Sequence, residues 1–263
     1  MIIRQIDNFD PIQICNSGQC FRWKEEEDGS VSLIAFGRKL CIQKEETGFS
    51  FSTSDKEWDE IWKDYFDLST DYKKVGKLIC DNGDPHLKEC YEEGRGIRIL
   101  KQDLWETVVS FVISQNNNIP RIKKSIEKLC EASALPAVGG GYRFPRPEEI
   151  DKDIFSDASM GFGYRADYLR KLCEFAENEP DWLDGLKKMD YNNALDALLK
   201  IKGIGKKVAN CICLFGLHHV GAFPVDTHVK QLLDKYYKDG LDLGPYEGYA
   251  GIIQQYLFYA EIK

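Results

Sequence analysis

The sequence predicts an α+β fold, an N-terminal antiparallel β-sheet followed by a mainly helical body, and three observations predict it. Short alternating runs joined by glycine turns fill the first fifty or so residues. From about Asp55 onward, apolar residues recur at helical spacing instead. A two-glycine hairpin, Lys202-Gly203-Ile204-Gly205, then separates two helical patterns within residues 191–217.

The elements follow in order. Val31 to Phe36 alternates in part, and Gly37-Arg38 offers a turn into a second run, Lys39 to Gln43. Phe49-Ser50-Phe51-Ser52 alternates strictly after Thr47-Gly48. Trp58, Ile61, Trp62, Tyr65 and Phe66 mark the first helix, and Leu104, Val108, Phe111 and Val112 mark one ending near Gln115. Residues 121–132, 164–177, 190–201, 206–217, 227–237 and 246–260 also read as helices, and Gly139-Gly140-Gly141 as a loop. The expected division is 1–98 for the sheet with its flanking helices and 99–263 for the helical body, with extensive packing across the divide.

Composition narrows the function classes. The chain has 263 residues, 43% hydrophobic and 30% charged, which is ordinary for a globular protein. No apolar run approaches the ~18 residues that span a bilayer, and the first residues are too charged for a signal segment. A cytoplasmic protein without membrane contact is expected, nucleoid-associated if prokaryotic. Its nine cysteines are scattered and form no CxxC pair, so no metal site is expected and most should be buried in a reducing compartment. A net charge of −8 argues against nucleic acid as a partner. Residues 199–230, however, hold five lysines and one acid, Asp226.

That segment carries the chemistry. Gly203 and Gly205 leave backbone N–H groups uncovered at a helix start, where phosphate binds without a basic side chain. Lys207 falls in the first turn, where the helix dipole disfavours a cation and favours the neutral, nucleophilic amine. Lys206 beside it adds like charge. Asp226, in Pro224-Val225-Asp226-Thr227-His228, is placed to supply a paired acid, and it also reads as the N-cap of the next helix. Bland alternatives stand beside these: a plain turn, a solvated lysine and a cap without chemistry.

Several segments resemble the 8-oxoguanine DNA glycosylases of the helix–hairpin–helix superfamily. They are Asn16-Ser17-Gly18-Gln19-Cys20-Phe21-Arg22-Trp23, Ser110 to Ile119, Gly161-Phe162-Gly163-Tyr164-Arg165-Ala166, the hairpin, the Pro-Val-Asp-Thr-His run and Gln254 to Phe258. By resemblance, Lys207 attacks C1′ and forms a Schiff base, and Asp226 stabilises positive charge on the sugar. Gly18 reads the N7 proton of the lesion through its carbonyl, Cys211 and Phe258 sandwich the flipped base, and Gln254 reads its Watson–Crick edge. Asn116 fills the vacated space and Tyr164 wedges between base pairs. Arg121 and Arg165 contact the orphaned cytosine, while Gly203, Gly205 and His228 grip the backbone. The implied partner is damaged double-stranded DNA with 8-oxoguanine opposite cytosine. No cofactor is implied, and a monomer suffices. The adjacent Gln255 leaves a one-residue shift of Gln254 open. Another damaged base, or a non-catalytic DNA-binding module, stays open as an alternative function.

Overall fold

The computed structural model describes all residues, Met1–Lys263. Five strands, β1 (Ile2–Arg4), β2 (Trp23–Glu25), β3 (Val31–Ala35), β4 (Arg38–Glu45) and β5 (Gly48–Phe51), form one antiparallel sheet in the order β1-β5-β4-β3-β2. The register pairs Leu33 with Leu40 and Ile42 with Phe51, so their side chains share the buried face. β1 and β2 are three-residue edge strands, too short to show a period in sequence. Helix α1 (Pro11–Asn16) lies between β1 and β2 in the chain and is capped by Asp10.

After β5 the chain turns helical where its apolar spacing changes. α2 (Asp55–Glu57), a π-helical turn (Trp58–Trp62) and α3 (Lys63–Tyr65) form one short run. It delivers Trp58, Trp62, Tyr65 and Phe66 to the sheet, where they pack with Trp23 and Phe51. Two helices unread in sequence follow, α4 (Tyr72–Asn82) and α5 (Pro85–Gly94), each started by an aspartate cap. α5 packs along the last helix of the chain, and Tyr72, Val75, Ile79, Leu87 and Cys90 belong to the core of the helical body, not that of the sheet. The core of the sheet draws its helical residues from Trp58 to Phe66, and Leu100 returns to it.

The body comprises α6 (Leu104–Ile113), α7 (Ile119–Ser133), α8 (Arg165–Asn178), α9 (Trp182–Lys187), α10 (Tyr191–Leu199), α11 (Lys206–Phe215), α12 (Thr227–Tyr236) and α13 (Ala250–Ile262). α6 is its axis: from Thr107 to Ile113 every residue is buried. Gly139, Gly140 and Gly141 form the expected loop, and all three have positive φ. One segment of the N-terminal unit crosses into the body. Phe21 packs edge-on against Phe111 of α6, with ring centroids 5.5 Å apart. The Arg22 guanidinium donates to Glu127 of α7 and to the Tyr142 carbonyl. These anchors carry the neighbouring Gly18 to the ends of α11 and α13.

Candidate active site

The hairpin between α10 and α11 is held by its middle. Ile204 is buried in the body core, which contributes about 2 kcal/mol. Gly203 has φ +93°, and a Cβ there would meet the Tyr168 ring at 2.6 Å, so no side chain fits. Gly205 does not need glycine's backbone freedom: its φ is −91°, and space around it is open. Its contribution is a bare helix start, with the first N–H groups of α11 unshielded. Gln115, unread in sequence, ties the hairpin to the end of α6 by donating to the Gly203 carbonyl at 2.9 Å.

Lys207 is half-buried in the first turn of α11, with Nζ 5.3 Å from the centre of the Phe111 ring. Phe111 in turn stacks on Phe215, with 11° between ring planes, so the lysine rests on a rigid apolar floor. Cys211 stands one turn along the same face, and burial pushes its thiol up despite the nearby ammonium of Lys207. Asp226 caps α12: Oδ1 accepts from Val229 N at 2.9 Å, and Oδ2 has no hydrogen bond within the protein. The cap and the free oxygen coexist, and the cap holds the carboxylate still.

One pocket gathers Gly18, Lys207, Cys211, Asp226, Gln254 and Phe258, residues drawn from four separate stretches of sequence. Phe111, Phe215, Pro224 and Gln255 complete its wall. Phe258 crowds Gly18 across the pocket, its ring edge 2.8 Å from where a Cβ on Gly18 would be. The two adjacent glutamines are distinguishable. Both leave a buried Oε1 without a partner, but Gln255 Nε2 is committed to the Ser17 carbonyl, whereas no hydrogen bond within the protein holds the Gln254 side chain. An unpaired buried amide favours Gln254 as the group that awaits a ligand.

Outside the pocket runs an open groove of about 750 Å³, and Lys207 and Asp226 line both. Asn116, Tyr164, Gly205 and His228 border this groove with Lys206 and Lys230, and Asp226 is its single acid. Asn116 is exposed with φ +45°, a conformation asparagine tolerates. Its neighbours serve structure: Asn117 bonds the Ile113 carbonyl, and Asn118 caps α7. Tyr164 is 53% exposed at the start of α8. Arg121 is exposed on the first turn of α7, and its guanidinium makes no bond within the protein. Arg165, expected with Arg121 at the cytosine, is committed within the protein where Arg121 is not. It is buried, stacks beneath Tyr164, and donates to the carbonyls of Gln115, Asn116 and Phe162. Five donors are available to a guanidinium, and most are spent here on the backbone carbonyls of Gln115, Asn116 and Phe162.

A helix–hairpin–helix that delivers a lysine to a pocket beside a capping carboxylate defines a base-excision DNA glycosylase architecture. Residues 109–240 match the HhH-GPD superfamily of base-excision DNA repair proteins, and residues 1–108 match the N-terminal domain of 8-oxoguanine DNA glycosylases. The chain belongs to the 8-oxoguanine DNA glycosylase family. It is 30% identical over 280 residues to the N-glycosylase/DNA lyase OGG1 of Arabidopsis thaliana, covering 94% of this chain and 75% of that protein. The 8-oxoguanine glycosylase/lyase of Clostridium acetobutylicum, solved with double-stranded DNA containing cytosine opposite the lesion, superimposes with a TM-score of 0.88. Its identity is 33%, over 99% of this chain and 97% of that one. MBOgg1 bound to a low-affinity DNA ligand also gives 0.88, at 36% identity over 97% and 93% of the two chains.

Proposed function

We propose that this protein removes 8-oxoguanine from duplex DNA opposite cytosine and then cleaves the strand, through a Schiff base on Lys207. The observation that carries the reading is the pocket, in which a lysine, a carboxylate with a free oxygen, an unpaired amide and a glycine backbone converge beside a basic groove. A base inside a duplex is out of reach of any such pocket, so it is swung out, at a cost of a few kcal/mol.

The neutral Lys207 amine attacks C1′ as the C1′–N9 bond breaks, and the base leaves with the bonding pair and takes up a proton. Asp226 Oδ2 stabilises the positive charge that builds on the sugar meanwhile. Opening of the sugar ring gives the imine. Loss of a C2′ proton then expels the 3′ phosphate by β-elimination, and water releases the lysine. Recognition rests on N7, an acceptor in guanine and a donor in 8-oxoguanine, so a carbonyl binds one and repels the other. The Cys211 thiol, kept neutral by burial, offers the base a polarisable, uncharged face.

The test is borohydride trapping on a duplex with one 8-oxoguanine opposite cytosine. A covalent adduct is expected with the wild-type protein, none with Lys207→Gln and none with undamaged DNA. A folded, DNA-binding wild type that yields no adduct would overturn the lysine mechanism.

A further inference from the structure

The backbone around Gly18 is held in an unusual way. Its two neighbours have their carbonyls occupied by side-chain amides. Gln255 Nε2 donates to Ser17 O at 3.1 Å, and Gln102 Nε2 donates to Gln19 O at 2.7 Å. Gly18 O, between them, accepts no hydrogen bond from the protein. A third amide fixes the loop to the next segment. Gln19, with no exposed surface, donates to Arg98 O at 2.9 Å and to Ser17 Oγ at 3.0 Å, and accepts from Leu100 N at 2.9 Å. Three glutamines from three places in the chain thus occupy the carbonyls on either side of Gly18, tie the loop to Arg98, and leave the Gly18 carbonyl itself unspent.

From this juxtaposition we infer that Gln19, Gln102 and Gln255 form an amide frame that positions the Gly18 carbonyl as the specificity-determining acceptor for the damaged base. The inference rests on the reading of the pocket given above. A carbonyl discriminates between an N–H and a lone pair only if it cannot turn away, because a mobile one would swing from the wrong base toward water. Gly18 has φ +73° and no Cβ to stiffen it, so stiffness must come from its neighbours. Occupying both adjacent carbonyls fixes both flanking peptide planes. None of the three glutamines has to touch the base for this, which makes them positioning residues.

Gln102 is the best place to break the frame, because it is half-buried and lies outside the pocket wall. Two single-turnover rates distinguish positioning from general damage: excision of 8-oxoguanine, which needs the base to be read, and β-elimination at a preformed abasic site, which has no base. Their ratio on one preparation is independent of the folded fraction. Gln102→Met should lower the ratio about fivefold, the value of one hydrogen bond, with abasic-site cleavage within about twofold of wild type. Gln102→Glu should lower it further, since a carboxylate oxygen then faces Gln19 O. An unchanged ratio in both variants would overturn the inference, and so would equal losses of both rates. Wild-type protein that leaves 8-oxoguanine in place would instead remove the reading on which the inference rests.

Discussion

The pocket and the groove share Lys207 and Asp226 but are built on opposite terms. The groove is wide, wet and lined by lysines, with a bare helix start and exposed Asn116, Tyr164 and His228 along it. The pocket is narrow, walled by Phe111, Phe215 and Phe258, and polar only through a backbone loop, two amides, a neutral thiol and the two shared residues. Charge supplies affinity for any duplex, since every phosphate is alike. Fixed neutral groups supply choice, since they meet only the base that has left the stack. Lys207 and Asp226 sit where the two meet, which in the proposed mechanism puts them within reach of the sugar that joins phosphate to base.

Substitutions in the three places should separate accordingly. The largest effect belongs to the junction. Asp226→Asn retains an N-cap, so melting should barely move, yet excision should fall on the order of 10²-fold with the charge gone. Asp226→Ala should lose the same activity and about 1 kcal/mol of stability besides. If the two variants melt alike, the carboxylate is not the cap described here. Next comes the pocket. Gly18→Ala places a methyl against Phe258 in a backbone region that favours glycine, and excision of 8-oxoguanine should drop about tenfold while DNA affinity stays the same. Affinity that fell in step with excision would erase the distinction between pocket and groove. The smallest effect lies in the groove. Lys206→Ala should weaken binding to damaged and undamaged duplex equally, with the slope of log K against log salt shallower by about 0.9. A loss confined to damaged DNA would place Lys206 with the pocket instead.

Sequence reasoning reached the two regions unequally. Lys207, Asp226 and the hairpin sit within thirty residues and announce themselves by spacing and glycine content. Helices with a strong apolar stripe, such as α11 and α12, were legible for the same reason. α5 was not, because its stripe is thin and its polar face acidic, whereas α4 carries a stripe as strong as that of α12 and was readable from it, with Asp71 as the cap signal. The pocket wall is assembled from five separate stretches, so only resemblance could bring Gly18, Cys211, Gln254 and Phe258 together in advance. Residues that hold others in place left no trace at all. Arg165 reads as a free cation until its three carbonyl partners are seen, and Gln115 reads as a helix-end polar residue until its bond to Gly203 is. Such roles depend on a donor meeting an acceptor across the fold, and no local pattern encodes that.

The burial of Cys211 has a chemical consequence of its own. The lesion at issue is guanine that has been oxidised, so the repair reaction is in demand when oxidants are abundant. Oxidants attack thiolates far faster than thiols, and the first product, a sulfenic acid, would put a polar oxygen into the base pocket. Burial keeps the Cys211 thiol protonated and covered, with 3% of its surface exposed, whereas Cys41 and Cys80 lie open on the outside. Peroxide therefore meets the exposed sulfur of Cys41 and Cys80 before it meets the sulfur in the pocket wall.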